Sequence, residues 1–202
     1  MYNEIKELLF SPHAFFAKKT GPEFNLLIPG AIVLIGGMIG LISPYVVSYF
    51  SHYGLEPVNI SIPALAFPLY LLGPFVAWFL FSCILYVICK LASGTGTFIL
   101  TLQNTGYGVL PLTIISTFPL IQGIFLSDFG EIPGTFDLGV MWGVNLLSLL
   151  FIFWAGYLWA CAMEKTQAIS YGKSLVAALI MVLIYLGYHL IVLLGMASRM
   201  QS

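Results

Sequence analysis

Along the chain, long apolar runs alternate with short polar breaks. Five runs reach the roughly 20 apolar residues that a helix needs to cross a bilayer core: about Leu26 to Phe50, Leu65 to Leu91, Asn104 to Leu126, Leu138 to Met163 and Ser174 to Ala197. The breaks between them, at His52–Pro57, Ser93–Gly96, Ser127–Gly134 and Glu164–Gln167, carry turn formers and charges. The pattern predicts an all-α, polytopic membrane protein: residues 26–202 form one bundle of five transmembrane helices (about 26–50, 65–91, 104–126, 138–163 and 174–197), with no room for a soluble domain.

Residues 1–25 follow a different pattern. Asn3–Leu9 and Ser11–Lys19 read as two short amphipathic, interfacial helices, with Ser11 as N-cap and Pro12 at the first helical position. Ile5, Leu8, Leu9, Phe15 and Phe16 offer apolar area to the membrane, and Lys6, Lys18 and Lys19 face its headgroups. The segment is expected to be an anchor lying flat before the first span; docking of a partner is the other reading. Its charges leave no apolar core for a cleavable signal peptide.

Composition sharpens the picture. Hydrophobic residues make up 60% of the chain and charged residues 7%, too few charges to cover a water-soluble globule. A net charge of -1 excludes the basic footprint that nucleic-acid binding requires. Lys6, Lys18, Lys19, Lys90, Lys165 and Lys173 all fall on the side of the N-terminus and Arg199 alone on the other, so the N-terminus is expected in the cytoplasm and the C-terminus outside, in the cell membrane if the source is prokaryotic. Glu56, Asp128, Glu131 and Asp137 read as a solvated acidic outer rim. Cys83, Cys89 and Cys161 sit within apolar runs and read as small buried hydrophobes.

Chemistry is sparse. The chain carries no zincin, nucleophile-elbow, P-loop or dinucleotide signature, and within the spans His189 is the ionisable residue with no carboxylate near it. No enzyme, cofactor or metal site is expected.

The stretch Tyr86–Ile114, YVICKLASGTGTFILTLQNTGYGVLPLTI, is more specific. Its Gly94, Gly96, Phe98, Gly106, Tyr107, Gly108, Leu110 and Pro111 resemble the pattern of the Yip family of Ypt/Rab-interacting multipass membrane proteins, in its prokaryotic form. Pro12-His13-Ala14-Phe15-Phe16 resembles the family's opening segment, and Phe153–Ile180 its last two helices. The resemblance implies a five-helix bundle with a cytoplasmic N-terminus and a scaffold-like, trafficking-related role without catalysis. Pro68 stands where the eukaryotic members have an acidic residue before Leu-Tyr-Gly-Pro, and their long N-terminal region has no counterpart here, which leaves GTPase binding doubtful.

Read from the residues alone, Gly36-x-x-x-Gly40 and Gly139-x-x-x-Gly143 let helices approach closely, either within the bundle, the preferred reading, or between subunits. A polar layer also emerges when each span is counted from its outer end: Ser43 and Pro44, Gly73 and Pro74, Pro119, Asn145 and His189 share a depth of roughly 10–14 Å. Prolines free carbonyls that must find partners in lipid. Two readings follow. In one, Ser43, Asn145 and His189 clasp a kinked bundle, and function lies in association with lipids, a membrane-protein partner or a second copy; in the other, a small transporter or channel keeps an outer pocket around Asn145 and His189. The first is preferred, because five spans cannot divide into equal repeats and no intramembrane carboxylate, lysine or arginine is central.

Overall fold

A computed structural model of the protein describes residues 2–21, 24–51, 66–121 and 134–199; the side chains of Pro44, Asn145, His189 and several helix ends lie outside the described set, as does the acidic rim. All regular structure among the described residues is helical: α1 (Tyr2–Phe10), α2 (Pro12–Lys18), α3 (Leu27–Ser51), α4 (Ala66–Leu91), α5 (Phe98–Gly108), α6 (Leu110–Ile115), α7 (Gly134–Gln167) and α8 (Tyr171–Arg199). Three segments are long and apolar enough to cross a membrane: Pro68–Leu91, Phe98–Ile121 and Leu146–Gln167. Leu27–Ser43 and Tyr171–Gly187 are apolar but shorter within the described residues.

Local chemistry sets the helix ends. Thr97 caps α5, its hydroxyl accepting from Leu100 N at 3.4 Å. The helix therefore starts at Phe98, ahead of the Asn104 start expected from hydropathy, because the polar run around Thr101–Thr105 lies inside it. At the other end of the preceding turn, α4 closes in a Schellman arrangement: Gly94 N donates to Cys89 O (2.8 Å) and Ser93 N to Lys90 O (3.0 Å), with Ser93 left-handed at φ 73°. Helix α7 continues through Glu164–Gln167, which hydropathy alone reads as a linker; the turn comes at Ala168. The polar tetrapeptide stays helical because Thr166 and Gln167 find hydrogen-bond partners inside the bundle. Ser11 occupies the N-cap of α2 without a side-chain cap bond, and Pro12 opens the helix.

α5 is the central element. It packs against α3, α4 and α7, while α8 lies along α7 and α4. The core concentrates at one end of the bundle, where Leu85 and Cys89 of α4, Leu158–Met163 of α7 and Ala177, Ala178 and Met181 of α8 meet Tyr107. This end, which holds the N-terminus and the turns at 92–97 and 168–170, is termed basal below. The amphipathic N-terminal pair completes it. Leu8, Phe15 and Phe16 are buried in the bundle, so much of the apolar area expected to enter lipid enters protein, while Ile5 and Phe10 remain exposed. Cys89 and Cys161 are buried and Cys83 half-buried, all as free thiols.

Glycines admit the closest contacts. A Cβ at Gly37 would lie 3.3 Å from the carbonyl of Tyr70, the group that Pro74 leaves without an amide partner, so α3 seats itself against the break in α4. A Cβ at Gly96 would fall onto the backbone of Thr166, and one at Gly108 onto the Trp159 indole. Gly36 faces Thr113 within the chain, but Gly40 and Gly143 have nothing within 4 Å. Gly108→Ala is therefore expected to lower unfolding stability in detergent by about 1–3 kcal/mol, and Gly143→Ala to change it by less than about 0.5 kcal/mol. Equal losses at both sites would overturn this assignment of contacts.

Candidate functional site: a polar seam at the basal end

Phe98–Gly108 is polar where a spanning helix is ordinarily apolar. Thr101, Gln103, Asn104 and Thr105 are all buried, and each is answered by a neighbouring element. Toward α7, Asn104 Nδ2 donates to Thr166 Oγ1 (2.7 Å) and Gln167 Nε2 donates to Thr101 Oγ1 (2.7 Å). These are reciprocal amide-to-hydroxyl bonds between residues three apart on α5 and adjacent residues on α7. The Gln167 carbonyl then accepts from Thr95 N at 2.9 Å, tying in the turn after α4. A Cβ at Gly94 would meet Gln167 Oε1 at 2.8 Å, so the turn passes directly over that amide.

Toward α4, the hydroxyls of Ser82 and Thr105 share a hydrogen bond, and Trp78 Nε1 donates to Leu102 O at 2.9 Å. Gly106 makes room for that indole and for Pro29. Near the end of α5, Val109 N turns to Gly106 O (3.2 Å), and the Thr105 carbonyl accepts instead from Trp159 Nε1 (3.2 Å). Toward α3, Gln103 Oε1 accepts from Asn25 N at 2.6 Å. Interhelical bonds of this kind average about 0.6 kcal/mol each in membrane proteins; their larger effect is on register, since unpaired polar groups are costly in hydrocarbon.

The N-terminal pair closes the seam from outside. Phe15 meets Tyr107 edge to face at 5.0 Å, and Lys19 Nζ lies 5.7 Å from the same ring. Lys19 also donates to Glu4 Oε1 (2.8 Å), and Lys18 pairs with Glu7, bracing α1 against α2. From α2 toward α7, His13 Nδ1 lies 2.9 Å from Glu164 Oε2 and His13 Nε2 3.4 Å from Cys161 Sγ. The hydrogen bond from Lys19 holds the Glu4 carboxyl below its ordinary value. Burial works against the Lys19 ammonium, but the bond to Glu4 and the proximity of Tyr107 outweigh it, and its value is raised.

With this geometry in view, the comparisons with known proteins decide the family. The Yip1 domain matches residues 6–194. The chain belongs to the Yip1-domain family. A relative, an uncharacterized protein of Methanocaldococcus jannaschii, is 32% identical over 109 residues, 52% of this chain and 77% of that one. No solved structure matches. Family membership makes this Yip1-domain protein an integral, multipass and non-catalytic membrane protein. Among the described residues no three His, Cys, Asp or Glu side chains gather in a metal-binding group.

The motif residues of this Yip1-domain protein cluster around the seam. Gly94 and Gly96 form the turn over Thr166 and Gln167; Phe98 packs edge to face on Phe79 and Tyr86, each at 5.6 Å; Gly106, Tyr107 and Gly108 line α5; Pro111 is buried at the start of α6. The expected outer polar layer is a separate matter. Ser43 Oγ donates to Ile39 O of its own helix at 2.8 Å, while the Asn145 and His189 side chains lie outside the described residues. The seam residues Thr101, Asn104, Thr166 and Gln167 were not among the sequence-predicted sites. Their signal was polarity at helical spacing, which a window tuned to apolar runs leaves at the edge of a span or in a linker.

The Lys19–Glu4 clasp has a definite pH window. Glu4, lowered from 4.5, contributes stability that is full above that value and lost as pH falls through its lower folded value. Lys19, raised from 10.5, contributes stability that is full below that value and lost as pH rises through its higher folded value. The distance between nitroxides at Ile5 and Leu91, in a background without native cysteines, is expected to stay single-valued through neutral pH and to broaden at both extremes. Lys19→Gln should broaden it at neutral pH; an unchanged distribution in that variant would remove the clasp from the account.

Proposed function

We propose that this protein is a five-span Yip-type scaffold, with its N-terminus on the cytoplasmic side, that works through protein, lipid or self-association. The observation that carries the reading is the fate of polarity on α5: Thr101, Gln103, Asn104 and Thr105 bond to the segment before α3, to α4, to α7 and to their own helix, so that the central helix is a packed strut even though the amide oxygens Asn104 Oδ1 and Gln167 Oε1 are buried without a hydrogen-bond partner. The outer surfaces are aliphatic, with Leu72, Val76 and Leu80 of α4, Leu146 and Leu150 of α7, and Leu183 of α8 exposed. A strut inside and an apolar surface outside suit a protein whose activity is to hold and present membrane surface. α3 and α8, at 25 and 29 residues, are each long enough to supply the two further spans at about 1.5 Å per residue.

Single cysteines at Lys6, Asp128, Asn145 and His189, in a chain without its native thiols, test the reading in intact cells with a membrane-impermeant reagent. The expected result is labelling at Asp128 and none at Lys6, Asn145 or His189. Labelling at Lys6 would reverse the orientation. Fast labelling at Asn145 or His189, blocked by an added solute, would replace the scaffold with a small transporter or channel built on an outer polar pocket.

A further inference from the structure

The lysines of the basal end are unevenly neutralised. Lys18 is paired with Glu7, Lys19 with Glu4 and Lys165 with Glu164. Lys6, Lys90 and Lys173 have no carboxylate partner among the described residues; Lys6 stands alone on α1, whereas Lys90 and Lys173 stand at the same corner of the bundle. Lys173 Nζ, at the start of α8, donates to the carbonyl of Ala92 at 3.0 Å, two residues beyond Lys90 at the end of α4. The Lys90 ammonium lies 5.3 Å from the centre of its neighbouring Tyr86 ring. Neither contact is with a negative charge, and each leaves ammonium N–H donors open for an anion.

What lies beside these two lysines distinguishes the anion they fit. On α4, Val87 and Leu91 are 55% and 84% exposed; on α8, Val176, Leu179 and Leu183 are exposed in turn. Cationic tips at a helix end, above aliphatic strips running into the membrane, complement an amphiphile with an anionic head and hydrocarbon chains. A soluble anion or an acidic peptide would use the charges and leave the strips unmatched. Lysines near a membrane boundary are ordinary; the distinguishing feature is that Lys18, Lys19 and Lys165 are cancelled by glutamates while two of the three described basal lysines left without a carboxylate share this one corner.

We propose that the corner formed by the end of α4 and the start of α8 binds the phosphate of an anionic phospholipid through Lys90 and Lys173, with the acyl chains lying on Val87, Leu91 and Val176. The assignment deepens the scaffold reading by naming a lipid class, and it rests on that reading only for the placement of the helices in the membrane.

The test uses the full chain reconstituted in phosphatidylcholine vesicles and spin-labelled phosphatidylglycerol or phosphatidylcholine as probes. The measured quantity is the selectivity for phosphatidylglycerol among motionally restricted lipid. The wild-type protein should favour phosphatidylglycerol, and K90Q/K173Q should reduce that preference by about threefold to tenfold. K90R/K173R should restore it, and K18Q should leave it unchanged, since Lys18 is already engaged by Glu7. Should K173Q loosen the end of α4, K90Q alone carries the measurement, because Lys90 caps no backbone carbonyl there. Undiminished selectivity in K90Q/K173Q, or an equal loss in K18Q, overturns the proposal. Displacement of the labelled lipid by inorganic phosphate would make the corner a soluble-anion site and overturn the lipid assignment. Failure here leaves the cysteine-labelling result for the scaffold untouched, so the two readings fall separately.

Discussion

In hydrocarbon a polar group has no solvent to fall back on, and this bundle places four buried polar side chains within little more than one turn of its central helix. That constraint organises the rest of the structure. Thr101 and Asn104 can be buried only because Gln167 and Thr166 stand opposite at matching spacing, and this requires α7 to continue past the point where its apolar run ends. The turn after α4 must then cross the end of α7 closely enough for Thr95 to reach the Gln167 carbonyl, which excludes a side chain at Gly96. On the other flank, Gly106 and Gly108 admit two indoles that donate to carbonyls of α5, Trp78 to Leu102 and Trp159 to Thr105, the latter where the helix's own ladder changes register. Glycine, threonine and tryptophan at these positions are one solution to one problem.

The N-terminal pair follows from the same arrangement. Tyr107 leaves an aromatic face at the basal end of α5, and Phe15 covers it, with Phe16 and Leu8 filling the space beside α7. Once those side chains are buried, the charges of α1 and α2 pair with one another across a short gap, Lys19 with Glu4 and Lys18 with Glu7. Pairing of this sort contributes modestly at a surface. Its consequence is placement: with three glutamates engaged, positive charge remains singly at Lys6 and doubly at the corner of α4 and α8.

Much of the architecture was legible in the chain because hydrophobic runs report burial or lipid contact directly. The spans at Pro68–Leu91 and Leu146–Gln167 overlap the expected ones closely, and the turns at Ser93–Gly96 stand where glycine and serine accumulate. What hydropathy could not deliver was the seam. Scored residue by residue for transfer into lipid, Thr101-Leu102-Gln103 falls ahead of the expected third span, with Asn104 and Thr105 at its very start. Their burial depends on partners some 60 residues away, and pairwise satisfaction is invisible to a sum over single residues. The same blindness affected Glu164–Gln167. Likewise, the amphipathic pattern of α1 and α2 marks an apolar face without saying whether lipid or protein will cover it; here Leu8, Phe15 and Phe16 are covered by protein.

If the seam holds the bundle together, its two sides must be energetically coupled. A double-mutant cycle on Asn104→Ala and Thr166→Val, with unfolding followed in bicelles, measures that coupling directly. The expected result is a favourable interaction of about 0.6–1.7 kcal/mol, in the range of interhelical hydrogen bonds in membranes. Strict additivity of the two substitutions would mean that Asn104 and Thr166 do not depend on each other, and would contradict the account of α5 as a strut locked by its polar partners.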